Sequence, residues 1–164
     1  MPTIDIKVKR FSVVSQRPFE DVIQRLTETI GRPDVRAFHD ALAAASTLVE
    51  LEAVVRHAVG SSDLMEFVRF DSGDVLRKET AGKGPKMLRL VVGNPLIMKE
   101  MAKLVPDAAS YAPVTILVDE RADGVHLSYD LMESLLPPFR HEAALQIARD
   151  LDAKVEDLLQ VAAE

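Results

Sequence analysis

Ile4, Ile6 and Val8 alternate with charged residues, and Val13 and Val14 prolong the run, so the chain is expected to open with an edge or half-buried strand over Ile4 to Ser15. Arg17-Pro18 breaks it. Phe19, Val22, Ile23, Leu26 and Ile30 then recur at helical spacing, and Gly31 supplies a stop. Pro33 is placed to open a second helix in its first turn, with Val35, Phe38, Leu42 and Ala45 as its apolar stripe. Thr47 and Glu50 have the spacing of a capping box and begin a third, with Leu48, Leu51, Val54, Val55 and Val59 as buried positions and Gly60 as its end.

From Leu64 the period changes. Leu64 to Phe70 is short, aromatic and β-branched, which reads as a strand closed by an Asp71-Ser-Gly-Asp74 turn. The stretch 75–85 ends in a segment with two glycines and a proline and is expected to be exposed loop. Met87 to Val92 is almost continuously apolar, the pattern of a central strand buried on both faces, and it runs into Gly93-Asn94-Pro95 and a helix over Leu96 to Leu104. Val114 to Glu120 and Val125 to Tyr129 flank Asp123-Gly124, a strong hairpin signal. From Pro138 one long helix follows, with Ala144, Ile147, Leu151, Val155, Leu158 and Ala162 on one face. That face either covers the sheet or forms a seam between two copies of the chain.

Strands scattered among helices, with at least one hairpin, predict a two-layer α+β fold: an antiparallel or mixed sheet with helices packed on one face and a long C-terminal helix. A chain of 164 residues suits a single domain spanning 1–164.

Composition narrows the function classes. A formal net charge of -6 repels polyphosphate, so nucleic acid is not an expected partner. The absence of cysteine removes disulfides, thiolate nucleophiles and sulfur-ligated metals, and it suits a reducing compartment. The alternating N-terminus, Met1 to Arg10, lacks a signal-peptide core and no apolar run approaches a membrane span, so the expected location is the cytoplasm, with no membrane partner. His39, His57, His126 and His141 never stand at metal-ligand spacing, and neither a metal nor another cofactor is expected.

Candidate chemistry is sparse. Gly93-Asn94-Pro95 can present backbone N–H groups to an anion at a helix start, although turn chemistry alone accounts for all three residues. Gly82-Lys-Gly-Pro-Lys86 lacks the spacing and hydroxyl of a phosphate loop. His126, Ser128 and Asp130 share one sheet face but stand about 7 Å apart in a row, too far for a catalytic triad.

Gly93-Asn-Pro-Leu-Ile-Met98, Tyr111-Ala-Pro113 and Leu127-Ser-Tyr-Asp130 together resemble, in order and approximate spacing, domain of unknown function family 302. The resemblance covers most of the chain and implies a compact α+β fold with an antiparallel sheet flanked by helices; it implies no established activity. Many members have an Asp-His pair ending the strand before the loop. Here Asp71 matches the aspartate and Ser72 stands in place of the histidine. The segment 33–60 resembles the added helices of a longer subgroup.

Two readings of function follow, with a third compatible with either. The first is a small-molecule-binding module whose apolar cavity has Asn94, Tyr111, Tyr129, Asp130 and Asp71 as polar candidates and Met98 in its wall. The second is an enzyme with Asp130 or Asp71 as general base, which requires burial to raise the carboxylate pKa. The third is a homodimer paired through the C-terminal helix.

Overall fold

A computed structural model describes residues 3–164; the two residues that open the expected span 1–164 lie outside it. Five strands and six helices follow in order: β1 (Arg10–Ser15), α1 (Phe19–Thr29), α2 (Val35–Ala44), α3 (Leu48–Ala58), β2 (Met65–Asp71), α4 (Ser72–Glu79), β3 (Met87–Gly93), α5 (Pro95–Leu104), β4 (Val114–Arg121), β5 (Gly124–Asp130) and α6 (Glu142–Ala163). The strands form one sheet in the order β1-β5-β4-β3-β2, and every neighbouring pair is antiparallel. The fold is α+β, as the mixed pattern of periods predicts.

Alternation along the strands divides the sheet into two faces. Leu90, Ile116 and Leu127, on three adjacent strands, are fully buried against Val22 and Leu26 of α1, Met101 of α5 and Val155 and Leu159 of α6. Each such side chain contributes about 1.5–3 kcal/mol by leaving water. Among the described residues the other face carries no helical layer, and Val68 and Phe70 of β2 and Val14 of β1 remain substantially exposed there. This corrects the expectation for β3: Leu88, Leu90 and Val92 point inward, while Arg89 faces solvent. The apolar run is not evidence of double burial, because Met87 and Val91 are only partly covered.

Other boundaries move for identifiable reasons. Only Arg10–Ser15 forms the first strand, since its partner β5 ends at Asp130 opposite Arg10; Ile4 and Val8 are exposed. Pro33 precedes α2, and Asp34 caps it by accepting from Ala37 N at 2.8 Å. The α3 capping box between Thr47 and Glu50 is present, but Leu48 is exposed. Val75 does not begin a loop. Helix α4 runs from Ser72 to Glu79 and is capped by Asp71, whose carboxylate accepts from Asp74 N at 2.8 Å. Its polar sequence shows no core-facing stripe, and Gly73 is its one buried residue. Pro138 belongs to a short turn, and Arg140, at φ 53°, separates that turn from α6, which His141 caps.

The β4–β5 hairpin pairs Arg121 with Gly124. Gly124 has φ 138°, and a Cβ there would stand 2.6 Å from the Ser15 carbonyl oxygen of β1, so the backbone conformation and the close approach both demand glycine.

Candidate functional site

Gly93 ends β3 with its backbone against Pro113, and Asn94 caps α5. The Asn94 side-chain oxygen accepts from Leu96 N at 2.9 Å, while its amide donates to the backbone oxygen and to Oδ1 of Asp63 at 3.0 and 3.1 Å. Asn94 is thereby occupied on both ends: it fastens the strand exit to the loop before β2. Turn chemistry accounts for the GNP segment.

Beneath this turn lies a cavity of about 220 Å³ between α2, β2, α5 and the Ala112-Pro113-Val114 segment, touching α6 at Leu151. Phe38, Leu42, Phe67, Ile97 and Met98 supply much of its wall; the only polar side chains lining it are those of His39 and Asn94. Phe38 and Phe67 meet edge to face with centroids 6.3 Å apart, which holds one side of the cavity in a fixed shape.

The other expected site residues lie elsewhere. Tyr111, Tyr129 and Asp130 border a second cavity on the open face of the sheet, and Pro113 and Val114 contribute to both cavities. Tyr129 is on the far side of that boundary: its ring is buried toward α6, where its hydroxyl donates to Oδ1 of Asp152 at 2.7 Å. Asp130 is gripped by Arg10 through bonds of 2.6 and 2.9 Å, and this guanidinium holds the carboxyl below its usual range. Asp71 is exposed at the opposite end of the strand order and accepts from Arg77 at 2.8 Å as well as capping α4. The six candidates therefore do not form one site, and neither expected general base has the buried environment that role demands. Of the apolar stripe of α6, Ala144, Leu151, Val155, Leu158 and Ala162 are buried in the chain's own core and Ile147 is partly buried against it.

The sequence profile of DUF302, a domain of unknown function, matches residues 41–162. The chain belongs to this family. A solved DUF302 structure, that of an uncharacterized conserved protein from Bacillus stearothermophilus, superposes with a TM-score of 0.64 over 93% of this chain and 97% of that one. At 14% identity this likeness concerns the fold alone. No curated protein matches the sequence.

Within this DUF302 chain a buried carboxylate, Asp152, is one that sequence reasoning passed over. It accepts from the Tyr129 hydroxyl and from the N–H groups of Met132 and Glu133 at 2.7, 2.7 and 2.9 Å. Burial pushes its carboxyl up, and those three bonds pull it partway back. Burial, together with the neighbouring Asp152 charge, likewise pushes the Tyr129 phenol up. The signal was present in the sequence: Ala148, Asp152, Val155 and Leu159 occupy one helical face, and a single carboxylate in an apolar stripe must be paired. Asp152 lines none of the described cavities, so its chemistry is that of a fastener between β5, the 132–134 turn and α6. Among the described residues no helix is long and apolar enough to cross a membrane, and no three His, Asp or Glu side chains gather as a metal site.

Proposed function

We propose that the protein is a binding module for a small apolar molecule, held in the cavity between Phe38, Phe67 and Met98. The observation that carries this reading is the chemistry of the wall. Of its two polar side chains Asn94 is fully engaged, which leaves the exposed His39 as the one available hydrogen-bonding side chain at the rim. A ligand suited to such a wall is mostly hydrocarbon or aromatic, with at most one polar group directed at His39. Apolar cavities of about 150 Å³ take up benzene, so 220 Å³ suits one ring or two fused rings. Met98 adds a flexible, polarizable surface that adapts to aromatic edges.

The test is a titration with indole and with toluene, followed through the methyl resonances of Met98 and Leu42. Saturable shifts at both methyls, abolished in Leu42→Trp, whose indole fills the space, are expected. Shifts that fail to saturate, or that persist unchanged in a folded Leu42→Trp protein, overturn the reading. Paired carboxylates at Asp71 and Asp130 favour this module over an enzyme using either as a base.

A further inference from the structure

The open face of the sheet carries its own cavity, about 310 Å³, bordered by Tyr111, Pro113 and Leu135 and by the outward positions Arg89, Thr115 and Ser128. Arg89, Leu117 and Ser128 pair in one row across β3, β4 and β5. Neighbouring strands lie about 4.8 Å apart, so Arg89 and Ser128 are separated by about 10 Å at the backbone, a gap that a small molecule lying over Leu117 spans.

Three observations make this more than a dent. Ser128 is only 7% exposed, yet its hydroxyl has no hydrogen-bond partner among the described residues. Every fully buried side-chain polar atom among them does have one, so the Ser128 hydroxyl retains contact with the cavity. Thr115 and Tyr111 line the same space, and among the described residues neither hydroxyl makes a hydrogen bond. The charge of the face is also unbalanced. Asp130 is taken by Arg10 and Asp119 by Arg121, in both cases through two bonds, whereas Arg89 has no carboxylate partner among the described residues and rests over the Phe70 ring at 5.6 Å. A cation held over a ring in this way keeps its N–H donors available to a planar anion.

We infer that this cavity binds a small organic carboxylate, the anion accepting from Arg89 and from the Thr115 and Ser128 hydroxyls, with an apolar body against Tyr111 and Leu135. One uncompensated positive charge beside the Arg10–Asp130 pair suits a monoanion; a phosphate dianion would be repelled by Asp130 and by the acidic chain as a whole. The planar fork of arginine matches a carboxylate in the same way.

The test is a titration of the whole chain with sodium benzoate, with neutral benzamide of the same shape and with inorganic phosphate, followed by amide shifts, the Thr115 methyl and the Arg89 Nε–H. Saturable benzoate shifts at Thr115, Ser128 and Arg89 are expected, with benzamide weaker by about tenfold or more, since a charge-assisted bond is lost. Arg89→Gln should weaken benzoate by a similar factor and Thr115→Val, which keeps the side-chain shape, by several-fold; dispersed amide spectra of both variants establish that they fold. The inference is overturned by equal affinity for benzoate and benzamide, by benzoate binding that Arg89→Gln and Thr115→Val leave unchanged, by phosphate binding more tightly than benzoate, or by shifts confined to Met98 and Leu42 of the other cavity.

Discussion

The Tyr129 hydroxyl on β5 donates to Asp152 Oδ1 on α6 at 2.7 Å, joining the sheet to the helix that covers it. The carboxylate also receives the N–H groups of Met132 and Glu133, so one buried side chain satisfies the backbone of the turn that follows β5. Removing the acceptor leaves three donors without a partner; removing the phenol leaves the acceptor with two. Asp152→Ala should therefore cost about 3 kcal/mol or more, and Tyr129→Phe about 1 kcal/mol. Urea unfolding with an unchanged slope measures both, and the order reversed would mean that the contact is not organised around the carboxylate.

Asp152 also makes a pH dependence that can be isolated. Burial raises its folded-state pKa above the ordinary value, so the folded state binds this proton more readily than the unfolded one. Its contribution to stability is complete below the ordinary aspartate value of about 3.9 and is lost as the pH rises through the raised folded value. Relative to Asp152→Asn, which does not titrate, the native protein should gain stability as pH falls from neutrality toward that window. Paired urea titrations across the range measure the difference, and a flat or opposite trend removes the assignment.

A backbone crossing supplies a sharper steric prediction. Gly60 passes so close to the end of α1 that a Cβ would collide with the Thr29 carbonyl oxygen and stand 2.6 Å from Gly31 N, both backbone atoms that cannot swing aside. Gly82, at φ 87°, has open space around it. Gly60→Ala should thus cost about 3 kcal/mol through forced displacement, whereas Gly82→Ala should cost only the left-handed backbone penalty of about 1–2 kcal/mol. Thermal melts of the two variants separate these causes: equal losses would mean that the crossing yields easily.

These features differ in how far the sequence announced them. The hairpin at Gly124, the α3 capping box and the apolar stripe of α6 were legible because turn chemistry and helical period are local. Helix α4 was not, since a short polar helix has caps but no apolar face to reveal it. The candidate residues were legible as types and not as a place. Asn94 and Met98 reach one cavity, Tyr111 and Asp130 another, and Tyr129 turns to the opposite side of the sheet, because neighbouring positions on a strand face opposite ways and the strand order separates segments that the chain presents in sequence. Asp152 was legible in principle as a polar interruption of a stripe, but its partner lies 23 residues upstream and only the fold brings the two together.

The Arg10–Asp130 pair distinguishes a surface ion pair from a site. Its side chains are 61% and 42% exposed, so solvent screens them despite the two short bonds. A double-mutant cycle with Arg10→Ala and Asp130→Ala should give a coupling of about 0.5–1 kcal/mol at neutral pH. Arg10 lowers the folded-state pKa of Asp130, so this contribution is present above the ordinary aspartate value and is lost as pH falls through the lowered folded value. The sign is opposite to that of Asp152, and the cycle repeated at acid pH should lose its coupling. A coupling of several kcal/mol that persisted in acid would mean a desolvated pair, and Asp130 would then regain its claim as a functional carboxylate.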